Sequence, residues 1–88
     1  MAAQLDFEHI ELDRGAGAPL SEQVFSAIER RISGGLLAVH SRLPTTRELA
    51  AALGINRGTV QAAYRRLQQE GLVDSRVGSG TVVRESAR

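Results

Sequence analysis

Only Gly54 and Ile55 separate the end of one helical pattern from the start of the next, and that short gap limits the folds open to this chain. On its N-terminal side, Pro44 and Thr45-Thr46-Arg47-Glu48 read as a helix start. Thr45 and Glu48 have the spacing of a capping box, in which each side chain satisfies a backbone donor of the other. That helix runs through Leu49, Ala50 and Leu53 and stops at Gly54. On the other side, Asn56 offers a side-chain oxygen where the first N–H groups of a second helix need an acceptor. Val60, Ala63, Tyr64 and Leu67 then fall on one helical face, at i, i+3, i+4 and i+7. Two short helices across a glycine turn make a helix-turn-helix, with Ile55 plugging the core at the turn.

Upstream, Leu20, Val24, Ile28 and Ile32 repeat every four positions, joined by Phe25, which predicts a longer scaffold helix. Pro19 fits its first turn, where a missing N–H costs nothing. Ser33-Gly34-Gly35 closes it, with glycine available for a left-handed cap. Leu36 to Leu43 reads as a connector. Past Leu67 the second short helix is expected to fray through Gln68-Gln69-Glu70 to Gly71. Leu72-Val73 and Thr81-Val82-Val83 are β-prone, and Gly78 and Gly80 in the stretch between them permit a tight hairpin. Arg76 lies on one arm of that ribbon and Arg84 at the end of the other. Ile10-Glu11-Leu12-Asp13 alternates, which suits a short strand or an extended arm equally. The expected fold is mainly α with a small β-hairpin: a winged helix-turn-helix of three helices plus a two-stranded wing, over residues 18–84. An N-terminal arm, 1–17, precedes it, and 85–88 read as the start of a linker.

A chain of 88 residues makes one small domain, which buries only about two-thirds of its unfolded surface and has a thin margin of stability. The absence of cysteine excludes a disulfide framework, a thiol nucleophile and a thiolate metal site. The N-terminus has no basic segment followed by an apolar run, and no stretch nears the ~20 apolar residues that span a bilayer. The expected location is the cytoplasm. The net charge of +1 conceals an asymmetry. Residues 1–29 hold Asp6, Glu8, Glu11, Asp13, Glu22 and Glu29 against Arg14 alone, a balance of −5. Residues 30–88 hold ten arginines against Glu48, Glu70, Asp74 and Glu85, a balance of +6. All eleven basic residues are arginine, which binds guanine or phosphate in a bidentate way that lysine cannot. A GC-rich genome is an equally good reason for that bias. The charge split nonetheless places a polyanion against the C-terminal part of the chain.

The face of the second short helix opposite its apolar stripe carries Arg57, Thr59, Gln61 and Arg65, which reads as a DNA recognition helix. Its N-terminal end would enter the major groove, where the macrodipole and unbonded N–H groups attract phosphate and the first two turns meet base edges. Arg57 is the expected base reader, since a bidentate arginine–guanine pair discriminates by ~1–3 kcal/mol; the alternative is a phosphate grip. Arg47 reads as a phosphate or base-edge contact rather than a salt-bridge partner of Glu48. Arg65 and Arg66 lie deeper, each either phosphate-facing or an ordinary solvated charge. Thr46 suits a phosphate contact, whereas Thr45 is explained as a cap. Tyr64, on the apolar face, reads as core. His9 and His40 are solitary, so no metal is expected. Gly78-Ser79-Gly80 is explained by the hairpin, since no βαβ unit surrounds it. Nothing suggests a catalytic triad, and no enzyme activity is expected. The alternative to DNA binding is a winged-helix protein–protein interaction module, which would want a neutral or apolar recognition face.

These residues together resemble the N-terminal DNA-binding domain of GntR-family transcriptional regulators. The matching pieces are Pro19-Leu20 with Gln23, Ile32-Ser33-Gly34-Gly35-Leu36, Arg42-Leu43-Pro44, Arg47-Glu48-Leu49-Ala50, Leu53-Gly54-Ile55-Asn56-Arg57, Thr59-Val60, Leu67, Glu70-Gly71-Leu72 and Gly78-Ser79-Gly80-Thr81. The leader Ile10-Glu11-Leu12-Asp13-Arg14, Ala63-Tyr64 and Val77-Gly78-Ser79-Gly80-Thr81 point to the MocR-like branch, with the YtrA-like branch as alternative. The resemblance implies double-stranded operator DNA as partner, contacted through Arg47, Asn56, Arg57, Thr59, Gln61 and the wing tip Gly78, Ser79 and Gly80. Gly58 stands where relatives often carry a polar residue that reaches DNA, so that contact is missing or becomes a backbone one. Gln61 stands where many carry arginine. In the MocR-like branch a linker leads to a large aminotransferase-like domain that binds pyridoxal phosphate. No cofactor is expected in this chain, which reads as a fragment or as a short regulator whose effector region is missing. A homodimer is expected of the full-length regulator, and a monomer or weak dimer of this chain alone.

Overall fold

Three helices and one hairpin follow one another: α1 over Leu20–Ser33, α2 over Thr46–Leu53, α3 over Arg57–Gln69, β1 over Val73–Arg76 and β2 over Gly80–Val83. The computed structural model describes residues 10–76, 78 and 80–84. The first part of the expected arm, with His9, and the expected linker start at 85–88 lie outside the described residues, as do Val77 and Ser79 of the wing motif.

The helix ends are set locally. Pro19 sits just before α1, with its carbonyl accepting from Glu22 N–H and Gln23 N–H at 3.1 Å each, rather than inside the first turn. The capping box at α2 forms as expected: Thr45 Oγ1 accepts from Glu48 N–H, and Glu48 Oε1 from Thr45 N–H, both at 3.0 Å. All three helices close alike, on Gly35, Gly54 and Gly71 at φ of 82°, 68° and 77°. The residue after each glycine sends its N–H back five positions, Ile55 to Ala50 O at 3.0 Å and Leu72 to Leu67 O at 2.9 Å among them. Any other residue there would take on roughly 1–2 kcal/mol of steric cost, so glycine fixes where each helix stops. Gly35, and not Gly34, is the left-handed residue after α1.

α3 is central, packing against α1, α2 and β1. Val60, Ala63, Tyr64 and Leu67 are its buried stripe, and Val24, Phe25, Ala27, Ile28 and Ile32 that of α1, as their spacing requires. Full burial of each large aliphatic side chain is worth ~1.5–3 kcal/mol. That contribution holds α3 helical through Gln69, two residues beyond the expected fray at Leu67.

The hairpin differs from its expected form in two ways. Asp74 and Ser75, expected between the β-prone pairs, belong with Arg76 to β1, which pairs antiparallel with β2 in the register Val73↔Val83, Asp74↔Val82, Ser75↔Thr81 and Arg76↔Gly80. The paired strands therefore extend to Arg76 and start again at Gly80. The connector also joins the sheet. Arg42 bridges Val82 antiparallel, with Leu43 N–H bonded to Thr81 O at 2.8 Å and Val83 N–H to Ser41 O at 2.9 Å. Residues 41–43 thus line the free edge of β2. Nothing in their composition announced it, because edge pairing depends on where the hairpin lands.

Residues 10–17 lie against the body of the domain without strand structure. Ile10 is buried in the core and Leu12 packs against it. The Gln23 side chain clamps this segment, accepting from Asp13 N–H at 2.7 Å and donating to Asp13 O and Ala18 O at 2.9 Å each. Arg14 reaches the turn between α2 and α3, where its Nη2 donates to Gly54 O at 3.0 Å.

Candidate nucleic-acid interface

The exposed edge of α3 carries Arg57, Gly58, Gln61 and Arg65. Between it and the hairpin runs an open groove of about 280 Å³, lined by Thr46, Gln61, Arg65, Gln68, Ser75 and Thr81. Thr46 belongs there because the capping box fixes the start of α2 beside α3. Tyr64 secures the same junction from within. Its hydroxyl donates to Pro44 O at 2.7 Å, and burial, then the Glu48 charge, raises the phenol well above its ordinary value of 10.0. Tyr64 is thus core, 6% exposed, as its place on the apolar face required.

Asn56 caps α3, its Oδ1 accepting from Gly58 N–H at 2.6 Å, while Thr59 N–H bonds Asn56 O at 3.0 Å. Two of the N–H groups expected to await phosphate are therefore occupied by Asn56 itself. The backbone contact foreseen at Gly58 cannot run through its N–H. A side chain at position 58 would place Cβ 3.1 Å from Asn56 Oδ1, so glycine also keeps the cap tight. Thr59 is half-buried on the flank of α3, and Arg57 and Gln61 are exposed.

The arginines divide into two sets. Arg66 pairs with Glu22 at 3.5 Å and Glu70 at 3.8 Å and lies over the Phe25 ring, so it belongs to the scaffold between α3 and α1. Arg76 pairs with Asp74 at 3.6 Å. Among the described residues, Arg14, Arg30, Arg42, Arg47, Arg57, Arg65 and Arg84 are exposed and make no ion pair, and of these Arg47, Arg57 and Arg65 belong to α2 and α3. Glu48, the nearest acid in sequence to Arg47, is turned back into the capping box. At the wing, Gly78 and Gly80 are exposed at φ of 84° and 78°, while Ser79 lies outside the described residues.

Of the candidate residues, Thr46, Gln61 and Arg65 thus line the groove, with Arg47 exposed on α2, Asn56, Arg57 and Thr59 at the open end of α3 and Gly78 and Gly80 at the wing. Gln68, Ser75 and Thr81 line the groove without having been singled out. Gln68 lies seven positions after Gln61 on one helical face, a usable signal; the two strand residues depended on hairpin packing. No helix among the described residues is long and apolar enough to cross a membrane. Among the same residues, no three of His, Cys, Asp or Glu cluster to hold a metal ion.

Residues 20–83 match the family described as bacterial regulatory proteins, gntR family. The chain is 43% identical over 72 residues to the probable rhizopine catabolism regulatory protein MocR of Rhizobium meliloti, covering 82% of this chain and 15% of that protein's length. Among solved structures it is similar to YtrA from Sulfolobus acidocaldarius, a GntR-family transcription factor, with a TM-score of 0.83, 34% identity and coverage of 88% of this chain and 81% of that one. It is also similar to the AraR DNA-binding domain in complex with operator ORX1, with a TM-score of 0.73, 29% identity and coverage of 83% and 92%.

Proposed function

This chain belongs to the gntR family of bacterial regulatory proteins, and on that premise we propose that its winged helix-turn-helix docks on operator DNA with the opening turns of α3 in the major groove. The observation that carries this reading is the exposed face of the helix-turn-helix. Arg57 and Arg65 on the outer edge of α3 and Arg47 in α2 stand exposed there and make no ion pair among the described residues. An unpaired arginine facing water gains little from its own fold, and gains two charge-assisted bonds on meeting phosphate or guanine.

In this reading Arg57, at the mouth of α3, reads a base edge. Arg47, Thr46 and Arg65 hold phosphates on either side, Asn56, Thr59 and Gln61 add hydrogen bonds, and the wing tip Gly78, Ser79 and Gly80 meets the backbone or minor groove. One domain covers a half-site, so a full operator calls for two, paired in a full-length homodimeric regulator. Its place of work is the cytoplasm, where the chromosome is. Likeness to MocR supports placing the chain in that branch. Pyridoxal phosphate is held through a lysine Schiff base, and this chain contains no lysine. We therefore assign that cofactor to a C-terminal domain outside these residues.

The test is fluorescence anisotropy of the chain with a duplex from the promoter of its own gene and with a scrambled duplex, across a salt series, for wild type and Arg57→Ala. The expected result is a preference for the promoter duplex that Arg57→Ala reduces by ~1–3 kcal/mol, about ten- to a hundredfold. Equal weakening on both duplexes would make Arg57 a phosphate contact. Failure of wild type to bind either duplex at low salt would favour the protein-interaction module instead.

A further inference from the structure

The wing tip carries no charge of its own at Gly78 and Gly80, and Arg76, which pairs with Gly80 in the strand register, is engaged by Asp74. A cation reaches this place from elsewhere in the chain. The bridge between Arg42 and Val82 lays the connector along β2. Side chains of bridged residues share a face of the sheet, so Arg42, Val82 and Asp74 stand together on one face of the hairpin. Val73 and Val83 are on the other, toward the core. Val82 is 7% exposed although it stands outside the main core cluster, as a residue covered by its neighbours on the outer face would be. A Cβ placed on Gly80 would lie 3.6 Å from Arg42 Nε, so the guanidinium rests over the bare backbone of Gly80, at the base of the wing turn. Arg42 is exposed and makes no ion pair among the described residues.

We propose that Arg42 is a further DNA-contacting residue, lent by the connector to the wing, and that it binds backbone phosphate beside the wing tip. The inference rests on the DNA-docking reading above and adds a contact to it from outside both the helix-turn-helix and the hairpin. The geometry supplies a division of labour. The methylene stem of Arg42 lies along the outer sheet face beside Val82, as long basic side chains do over apolar surface, and the head is left in solvent. Glycine at position 80 keeps that head close to the backbone it accompanies. Since phosphates are the same in every sequence, such a contact adds affinity without choosing a site.

Arg42→Met tests this, because methionine keeps an unbranched apolar stem over the sheet and removes only the charge. Anisotropy titrations use the promoter duplex and the scrambled duplex of equal length, with melting temperature recorded on the same samples. The expected result is a loss of about fivefold to tenfold on both duplexes. The slope of log K against log salt becomes shallower by about 0.9, the value for one phosphate neutralised. Melting is unchanged, whereas Arg42→Ala, which strips the stem as well, also melts lower. An Arg42→Met variant with wild-type affinity and slope would overturn the assignment. So would a loss confined to the promoter duplex, which would mark Arg42 as a base reader. If wild type binds neither duplex while its melting is normal, the DNA reading itself fails and the Arg42 contact with it.

Discussion

Asn56 is given two tasks at the mouth of α3, and two substitutions separate them. Its Oδ1 accepts from Gly58 N–H at 2.6 Å, which leaves the amide NH₂ to face DNA. Asn56→Ala removes both. Loss of an N-cap acceptor costs about 1 kcal/mol, and in a domain of this size each kcal/mol lowers Tm by roughly 4–8 °C. Asn56→Asp keeps an acceptor oxygen at the same distance along the side chain. It adds a negative charge at the positive end of the α3 macrodipole, worth about 0.3–1 kcal/mol in favour of the fold. The same carboxylate has no N–H to donate and repels phosphate, so DNA affinity should fall about tenfold, or ~1.4 kcal/mol. Stability therefore ranks Asp at or above wild type and Ala lowest, while affinity ranks wild type first and Asp last. Circular-dichroism melts and anisotropy on the same preparations read both orders. An Asp variant that melts as low as the Ala variant refutes the cap, and one that binds as wild type removes Asn56 from the interface.

Tyr64→Phe deletes the 2.7 Å bond to Pro44 O and should cost about 1–2 kcal/mol in urea titrations at neutral pH. It should also change the alkaline limb. Because burial, then Glu48, raises the folded-state phenol above 10.0, its contribution is complete below pH 10 and lost as pH climbs toward the folded value. The Phe variant should lack that part of the loss, and parallel stability curves for the two proteins between pH 8 and 11 would exclude it. Gln23→Ala should release the docked residues 10–18 by removing three hydrogen bonds to them. The expected cost is about 1–2 kcal/mol, read by native-state hydrogen exchange as loss of protection at the Asp13 amide. Unchanged protection at Asp13 would mean that Ile10 burial alone holds the segment.

The parts of the fold that could be read from the sequence are those whose causes are local. The Thr45–Glu48 box, the Asn56 cap and the glycines that end the helices all act within six residues. The buried stripes of α1 and α3 follow from spacing alone. What escaped depends on residues far apart in sequence. Arg42 pairs with Val82 only because the hairpin folds back over the connector. Arg66 proves to be a scaffold residue only when α1 brings Glu22 and Phe25 beside it. Asp74 and Ser75 are turn-like residues, yet pairing with β2 overrides their weak preference. In the candidate site, the face of α3 was legible from helical spacing, whereas the hairpin wall of the groove at Ser75 and Thr81 was not.

The angle at which α3 presents Arg57 is governed by two contacts made by residues outside the turn itself. Tyr64 ties the middle of α3 to Pro44, just ahead of α2, and Arg14 ties the leader to Gly54 O, between the two helices. Gly54 is left-handed, and its carbonyl faces out of the turn, where water would otherwise be its partner. A guanidinium supplied there restrains the turn from the leader side and adds positive charge close to the mouth of α3. The acidic leader and the basic body are therefore not two regions that merely differ in charge. The leader contributes its single arginine at the turn where the body must hold its shape against a polyanion. Net charge over the whole chain, +1, conceals this arrangement, because Arg66 and Arg76 are paired with carboxylates while Arg47, Arg57 and Arg65 on the α2–α3 face are not.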